Sequence, residues 1–139
     1  MSKRTKVILK EYFAAGSLPS ADQFAELIDS LEDNNAPTTL TIATDSKGVG
    51  SVTRTQRRHI VDTEGQADTD DLGIILGYAD GEEIILRIAD AARTVVLKAN
   101  FASANINMAT DFTMSTLRHV WHGYYNADDA NWHEIARNS

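Results

Sequence analysis

Four histidines, one acidic loop, one basic cluster and a run of C-terminal aromatics are the residues whose types could do chemistry. His119 and His122 stand three apart in a segment that reads as a strand, where odd spacing sends the rings to opposite faces. His133 approaches one of them only across strands, so no metal is expected. Asp68-Thr69-Asp70-Asp71-Leu72-Gly73 opens like a calcium loop, but its twelfth position is Ala79 rather than a bidentate glutamate. Lys47-Gly48-Val49-Gly50-Ser51 lacks the Gly-Lys-Ser and the following helix of a phosphate loop, and reads as a turn. Asp128 and Asp129 have no carboxylate partner for acid–base work, and no serine sits in a nucleophile-elbow pattern. The expectation is no cofactor and no catalytic constellation, with a small hydrolase using His119, His122 or His133 as the enzymatic alternative.

Two groups suit contact rather than catalysis. Arg54, Arg57 and Arg58, with His59 beside them, form the one basic cluster, which is either a contact for an acidic partner or a solvated strand face. Trp121, Tyr124, Tyr125 and Trp132 lie in the closing segments. Aromatics there ordinarily pack in a core, and any that stay exposed suit a glycan or receptor.

The chain has 139 residues, the size of one ordinary domain with a short appendage. It has 13 basic and 20 acidic residues, a net charge of −7, and no cysteine. Acidity argues against phosphate-neutralising nucleic-acid binding, and the missing thiols exclude disulfides and cysteine chemistry. No apolar run approaches the length of a membrane span, and Val7-Ile8-Leu9 breaks at Lys10 and Glu11, short of a signal-peptide core. A soluble protein without a membrane or nucleic-acid partner is expected.

The elements that must position these residues fall into two periods. Ser20-Ala21-Asp22-Gln23 fits a capping box, and Phe24, Leu27, Ile28 and Leu31 follow as one helical stripe that stops at Asp33 to Pro37. A shorter helix over Lys6–Ala15, carrying Phe13 and capped by Gly16, makes a helical hairpin arm over 1–36. Two such helices need a surface to pack on. From Thr38 the period becomes two. Strands are expected at Thr38–Ile42, Val52–Arg58, Leu72–Tyr78, Glu83–Ile88, Thr94–Lys98, Asn105–Met108, Asp111–Met114, Leu117–Tyr124 and Asn131–Ala136. Asp80-Gly81 is a hairpin signal, and Thr63–Asp71 reads as a polar loop. The expected fold is mainly β: an antiparallel β-sandwich or jelly-roll-like domain over 37–139 behind the helical arm.

Two stretches carry a resemblance. Leu9-Lys10-Glu11-Tyr12-Phe13, continuing through Pro19-Ser20-Ala21-Asp22-Gln23-Phe24-Ala25-Glu26-Leu27-Ile28-Asp29-Ser30, resembles the N-terminal segment of bacteriophage tail-fibre and other virion surface proteins. Asp80 to Lys98, with Asp111-Phe112-Thr113-Met114 and Asn131 to Arg137, looks like a β-module of phage fibres, spikes and head-decoration proteins. The sequence departs from that module at Lys98 to Ala104, where a glycine-rich turn would be usual. The resemblance implies a non-enzymatic virion structural protein, a homotrimer on the capsid surface, assembled in the host cytoplasm. The chain stops directly after the β-module, which suits a capsid decoration (cement) protein. In that role Phe13, Phe24, Leu27, Ile28 and Leu31 would pack on a neighbouring subunit or the major capsid protein. The alternative is a short tail or neck fibre, or a spike component, presenting the aromatic end to a host surface glycan.

Overall fold

The computed structural model describes residues 11, 13–14, 16, 18–32, 36–100 and 103–139. The chain divides into two compact units, Met1–Ala36 and Pro37–Ser139.

In the first unit, helix α1 spans Ala21–Glu32. Its start is a closed capping box: the Ser20 amide donates to Gln23 Oε1 at 2.8 Å and the Gln23 amide donates to Ser20 Oγ at 3.2 Å. Two amide groups that the helix itself leaves free are thereby satisfied. Asp22 adds a negative charge in the first turn, where the helix dipole favours it. Gly16 takes the left-handed φ of 81° expected of a helix-ending glycine. Of the expected Lys6–Ala15 helix, only Glu11, Phe13 and Ala14 belong to the described residues. The rest, and the Leu31 side chain, lie outside them.

The second unit is built from β1 (Thr38–Thr41), β2 (Ala43–Thr44), β3 (Gly50–Thr53), β4 (Arg58–Asp62), β5 (Thr69–Leu72), β6 (Ile74–Leu76), β7 (Glu83–Ile88), β8 (Thr94–Leu97), β9 (Ile106–Asn107), β10 (Phe112–Met114), β11 (Val120–Asn126) and β12 (Asn131–Asn138). Sheet A has the order β1-β4-β7-β11-β12-β9, sheet B β2-β3-β6 and sheet C β10-β8-β5. Mainly β is therefore right, but the sandwich is not. β1, β4 and β7 pair in parallel, as do β3 with β6 and β5 with β8. From β4 the chain visits sheets A, C and B and returns to A in β7, one coil further on. The arrangement is solenoid-like, with parallel pairs in the coil and antiparallel pairs kept at β2–β3, β8–β10, β7–β11 and β11–β12. Short strands with turn residues between them are equally compatible with a coil and a meander, because periodicity does not specify the pairing partner.

Several local expectations change for the same reason. The turn at Asp80-Gly81 joins β6 in sheet B to β7 in sheet A, so it is a coil corner and not a hairpin. The Val52–Arg58 run bends, giving β3 and β4 in different sheets, and β3 lies in the middle of sheet B with Val52 buried. Leu72 ends β5, and the sheet changes at Gly73. The polar stretch before it contributes Thr69–Asp71 to β5.

Coiling stacks inward residues on one another. Leu40, Val61 and Ile88 are register partners, as are His59, Leu86 and Trp121, and Leu72, Leu97 and Phe112. One cluster of buried residues drawn from all three sheets forms the core. A backbone ladder runs through one corner: Gly73 N donates to Gly50 O, Asn105 N to Gly73 O and Trp132 N to Asn105 O. A Cβ at Gly50 would overlap the Asp71 carbonyl oxygen and the Ile42 side chain, so glycine is required there.

The stack is closed at its C-terminal end. On sheet A, β11 pairs antiparallel with β7 and then with β12, and β9 pairs in parallel with β12 as the edge strand. On sheet C, β10 pairs antiparallel with β8. Sheet B is ended by a side chain. Asn105 Oδ1 accepts the Ile75 amide at 2.9 Å and Asn105 Nδ2 donates to the Ile75 carbonyl at 2.8 Å, which is what a further strand would do.

Candidate functional site

The helical stripe is the first surface of interest. Phe24 and Ile28 are 46% and 53% exposed on α1, Leu27 is half-buried, and Phe13, 51% exposed, meets the Phe24 ring edge-on at 6.1 Å. Large apolar side chains left in water on one helix face constitute an uncovered contact surface.

The arginine cluster does not form one free face. Arg54 is fastened by Nε to the Glu83 carbonyl at 2.9 Å and by Nη1 to Glu82 at 2.6 Å, with its side chain 13% exposed. Arg57 pairs with Glu83 at 3.1 Å. Arg58 points to the outer face of sheet A. His59 is buried in the core. Its Nε2 accepts the amides of Thr55 and Gln56 at 3.1 and 3.2 Å, which leaves Nδ1 as the protonated nitrogen, facing the Thr38 hydroxyl and carbonyl. Burial holds its pKa below the usual 6.5, the Thr38 carbonyl pulling the other way. His59 is a neutral structural residue.

Most of the expected aromatic patch is interior. Trp121 and Trp132 are fully buried and Tyr125 is 5% exposed. Trp121 donates Nε1 to Glu134 at 2.8 Å, and Arg137 donates to the same oxygen at 2.7 Å. Trp132 donates to the Ile75 carbonyl. Tyr125 packs edge-on to Trp132 and stacks on the exposed Tyr78 with ring centres 4.0 Å apart. Burial, with Tyr78 adding to it, pushes the Tyr125 hydroxyl above its usual pKa of 10.0. The exposed patch therefore reduces to Tyr124, which stacks on its cross-strand partner His133. Strand alternation decides this, sending Trp121 and Tyr125 inward and Tyr124 outward.

The histidines are dispersed. His119 lies before β11 rather than in it, and its Nδ1 accepts the Ser115 amide. His133 pairs with Asp129 at 2.6 Å. His122 Nε2 is 3.3 Å from Glu83 Oε1 without the alignment of a hydrogen bond. Among the described residues, no group of three acidic or histidine side chains is placed to hold a metal, and no helix is long and apolar enough to cross a membrane.

What the sequence reading missed is the outer face of sheet A. Arg58, Ile85, His122 and Ala136 lie in one row across β4, β7, β11 and β12, and Ile60, Arg87, Val120 and Asn138 lie in the next. Two depressions of about 300 and 150 Å³ sit among these rows and meet at Val120. The alternation along each strand carried this information, but rows appear only once the pairing partners are known.

No protein-family model matches the chain, and neither a curated protein nor a solved structure matches it.

Proposed function

We propose that this chain is a non-enzymatic structural protein of a bacteriophage virion surface, a homotrimer whose first unit attaches it to the particle. The observation that carries the reading is the exposed stripe of Phe24 and Ile28, on a helix too short to hold its shape by itself in water. Cover from a neighbouring subunit or from the major capsid protein would stabilise that helix by removing its apolar face from water. The likeness of residues 9–30 to virion surface proteins supports the same reading. In the decoration form, this contact holds adjacent capsomers together while the β-unit projects.

One observation favours the second form, a short fibre or spike component. The β-unit begins at β1 on one edge of sheet A, and toward the other edge the coil gives way to the antiparallel β11 and β12, with Asn105 ending sheet B. Such a stack suits a projecting element with a finished tip.

The test is co-sedimentation with phage heads and with tails. Full-length protein is expected on one of the two, and the chain lacking residues 1–36 on neither. Unchanged binding after that deletion overturns the anchoring role.

A further inference from the structure

The rows on the outer face of sheet A form a shallow trough, and we propose that it binds a carboxylated polysaccharide laid across the strands. The trough lies wholly in the second unit, so this inference stands or falls separately from the anchoring role of residues 1–36.

Charge comes first. Arg58 and Arg87 both line the larger depression, together with Pro37, His59, Ile85 and Val120. Arg87 is exposed, and its guanidinium has no hydrogen-bond or ion-pair partner among the described residues. Its neighbours across the strands are apolar, Ile60 on β4 and Val120 on β11, so neither can neutralise it. The acids on this face are already engaged. Asp62 is paired with Arg93, and Glu83 lies between Arg57 and His122. A protein of net charge −7 thus keeps in a hollow a guanidinium that no described residue pairs, where a carboxylate would meet a planar, bidentate donor.

Shape and spacing then select the ligand class. Ile85, Val120 and Ala136 are apolar parts of the two linings, suited to the C–H faces of pyranose rings, with the polar His122 and Asn138 beside them. Tyr124, stacked on His133 in the adjoining row, offers an exposed aromatic ring beside it. Crossing from β4 to β12 takes three strand intervals of about 4.8 Å. That interval is close to the rise of one sugar in an extended polysaccharide, so successive residues meet successive strands. An extended acidic peptide advances only about 3.4 Å per residue and falls out of step with the rows.

The test is titration calorimetry of the full-length protein, at millimolar sugar, with hexasaccharides of galacturonate, mannuronate, guluronate and hyaluronan. Maltohexaose serves as the neutral control and hexaglutamate as the acidic peptide. At least one uronate oligomer is expected to bind, more weakly as salt rises, and Arg87→Ala should weaken it by about tenfold or more. Arg87→Lys should recover part of that loss, and Arg118→Ala, an exposed arginine outside the trough, should change nothing. Because Arg87 is exposed, the variant's unfolding midpoint should match the parent's. No binding by any uronate oligomer overturns the proposal, as does equal weakening by Arg118→Ala. Hexaglutamate binding as tightly as the sugars overturns it in favour of an acidic protein surface.

Discussion

The two units differ in how much of their apolar material they bury, although the β-unit too leaves Leu76, Leu117 and Ile135 exposed. In the β-unit, Trp121, Trp132, Leu72, Leu86 and Leu97 are fully buried, and even the inward-facing His59 and the last strand of sheet B have their polar groups met from within. In the first unit, by contrast, Phe24 and Ile28 of α1 are exposed and Leu27 is half-buried. The β-unit has one buried core drawn from all three sheets, whereas the described part of the helix keeps an exposed apolar face. Function in the first unit is accordingly sought in its apolar face, and in the second in polar groups left over on the outside.

That contrast breaks most severely at the coil corners. Gly50→Ala places a methyl group against the Asp71 carbonyl and Ile42, and should cost about 3 kcal/mol or more of β-unit stability in urea unfolding. Asn105→Ala should come next. It strips the Ile75 amide of its partner while the carbonyl keeps Trp132 Nε1, a loss of about 1–3 kcal/mol by the same measurement.

Acid gives a third, smaller effect with a defined sign. His59 has a folded-state pKa below 6.5, so the unfolded chain binds its proton first. Its contribution is complete above pH 6.5 and is lost as pH falls from there through the lower folded value. Asp111, whose carboxyl is held below 3.8 by Lys98 and the Ala99 amide, contributes above 3.8 and is lost only as pH falls below that. Urea midpoints taken downward from pH 8 should begin to fall near 6.5, well before the carboxylate region. A flat profile down to pH 4 would remove His59 from the account.

In the first unit the expected effects are smaller still. Ser20→Ala opens the capping box and should lower helical circular-dichroism signal, with a cost of about 1 kcal/mol to the helix. Phe24→Ser with Ile28→Ser should shift the β-unit's unfolding by less than about 0.5 kcal/mol while abolishing attachment to the particle. A large loss of β-unit stability instead would show that the stripe serves folding.

How much was legible in the sequence follows the range of the interactions. Ser20 and Gln23 are three residues apart, and their spacing alone revealed the cap. Strand positions such as Thr94–Leu97 and Asn131–Asn138 were readable from alternation, though not their ends. Pairing was not readable: β4 lies beside β1 and β7 through contacts between residues more than twenty positions apart, and no local pattern distinguishes parallel from antiparallel neighbours. The same gap hid the trough. Arg58 belongs to a basic run, but Arg87, which lines the same depression from the next row, stands alone among apolar residues in the sequence. The aromatic cluster misled because proximity in sequence placed Trp121, Tyr124 and Tyr125 together while the strand sent them to opposite faces.

The proposed trimeric virion protein requires a β-unit that folds and associates without residues 1–36. Light scattering coupled to size exclusion, on the full chain and on residues 37–139, tests it most directly. A folded trimer is expected in both, with the three-fold contact in the β-unit and the helical face left for the particle. A monomer in both would contradict it.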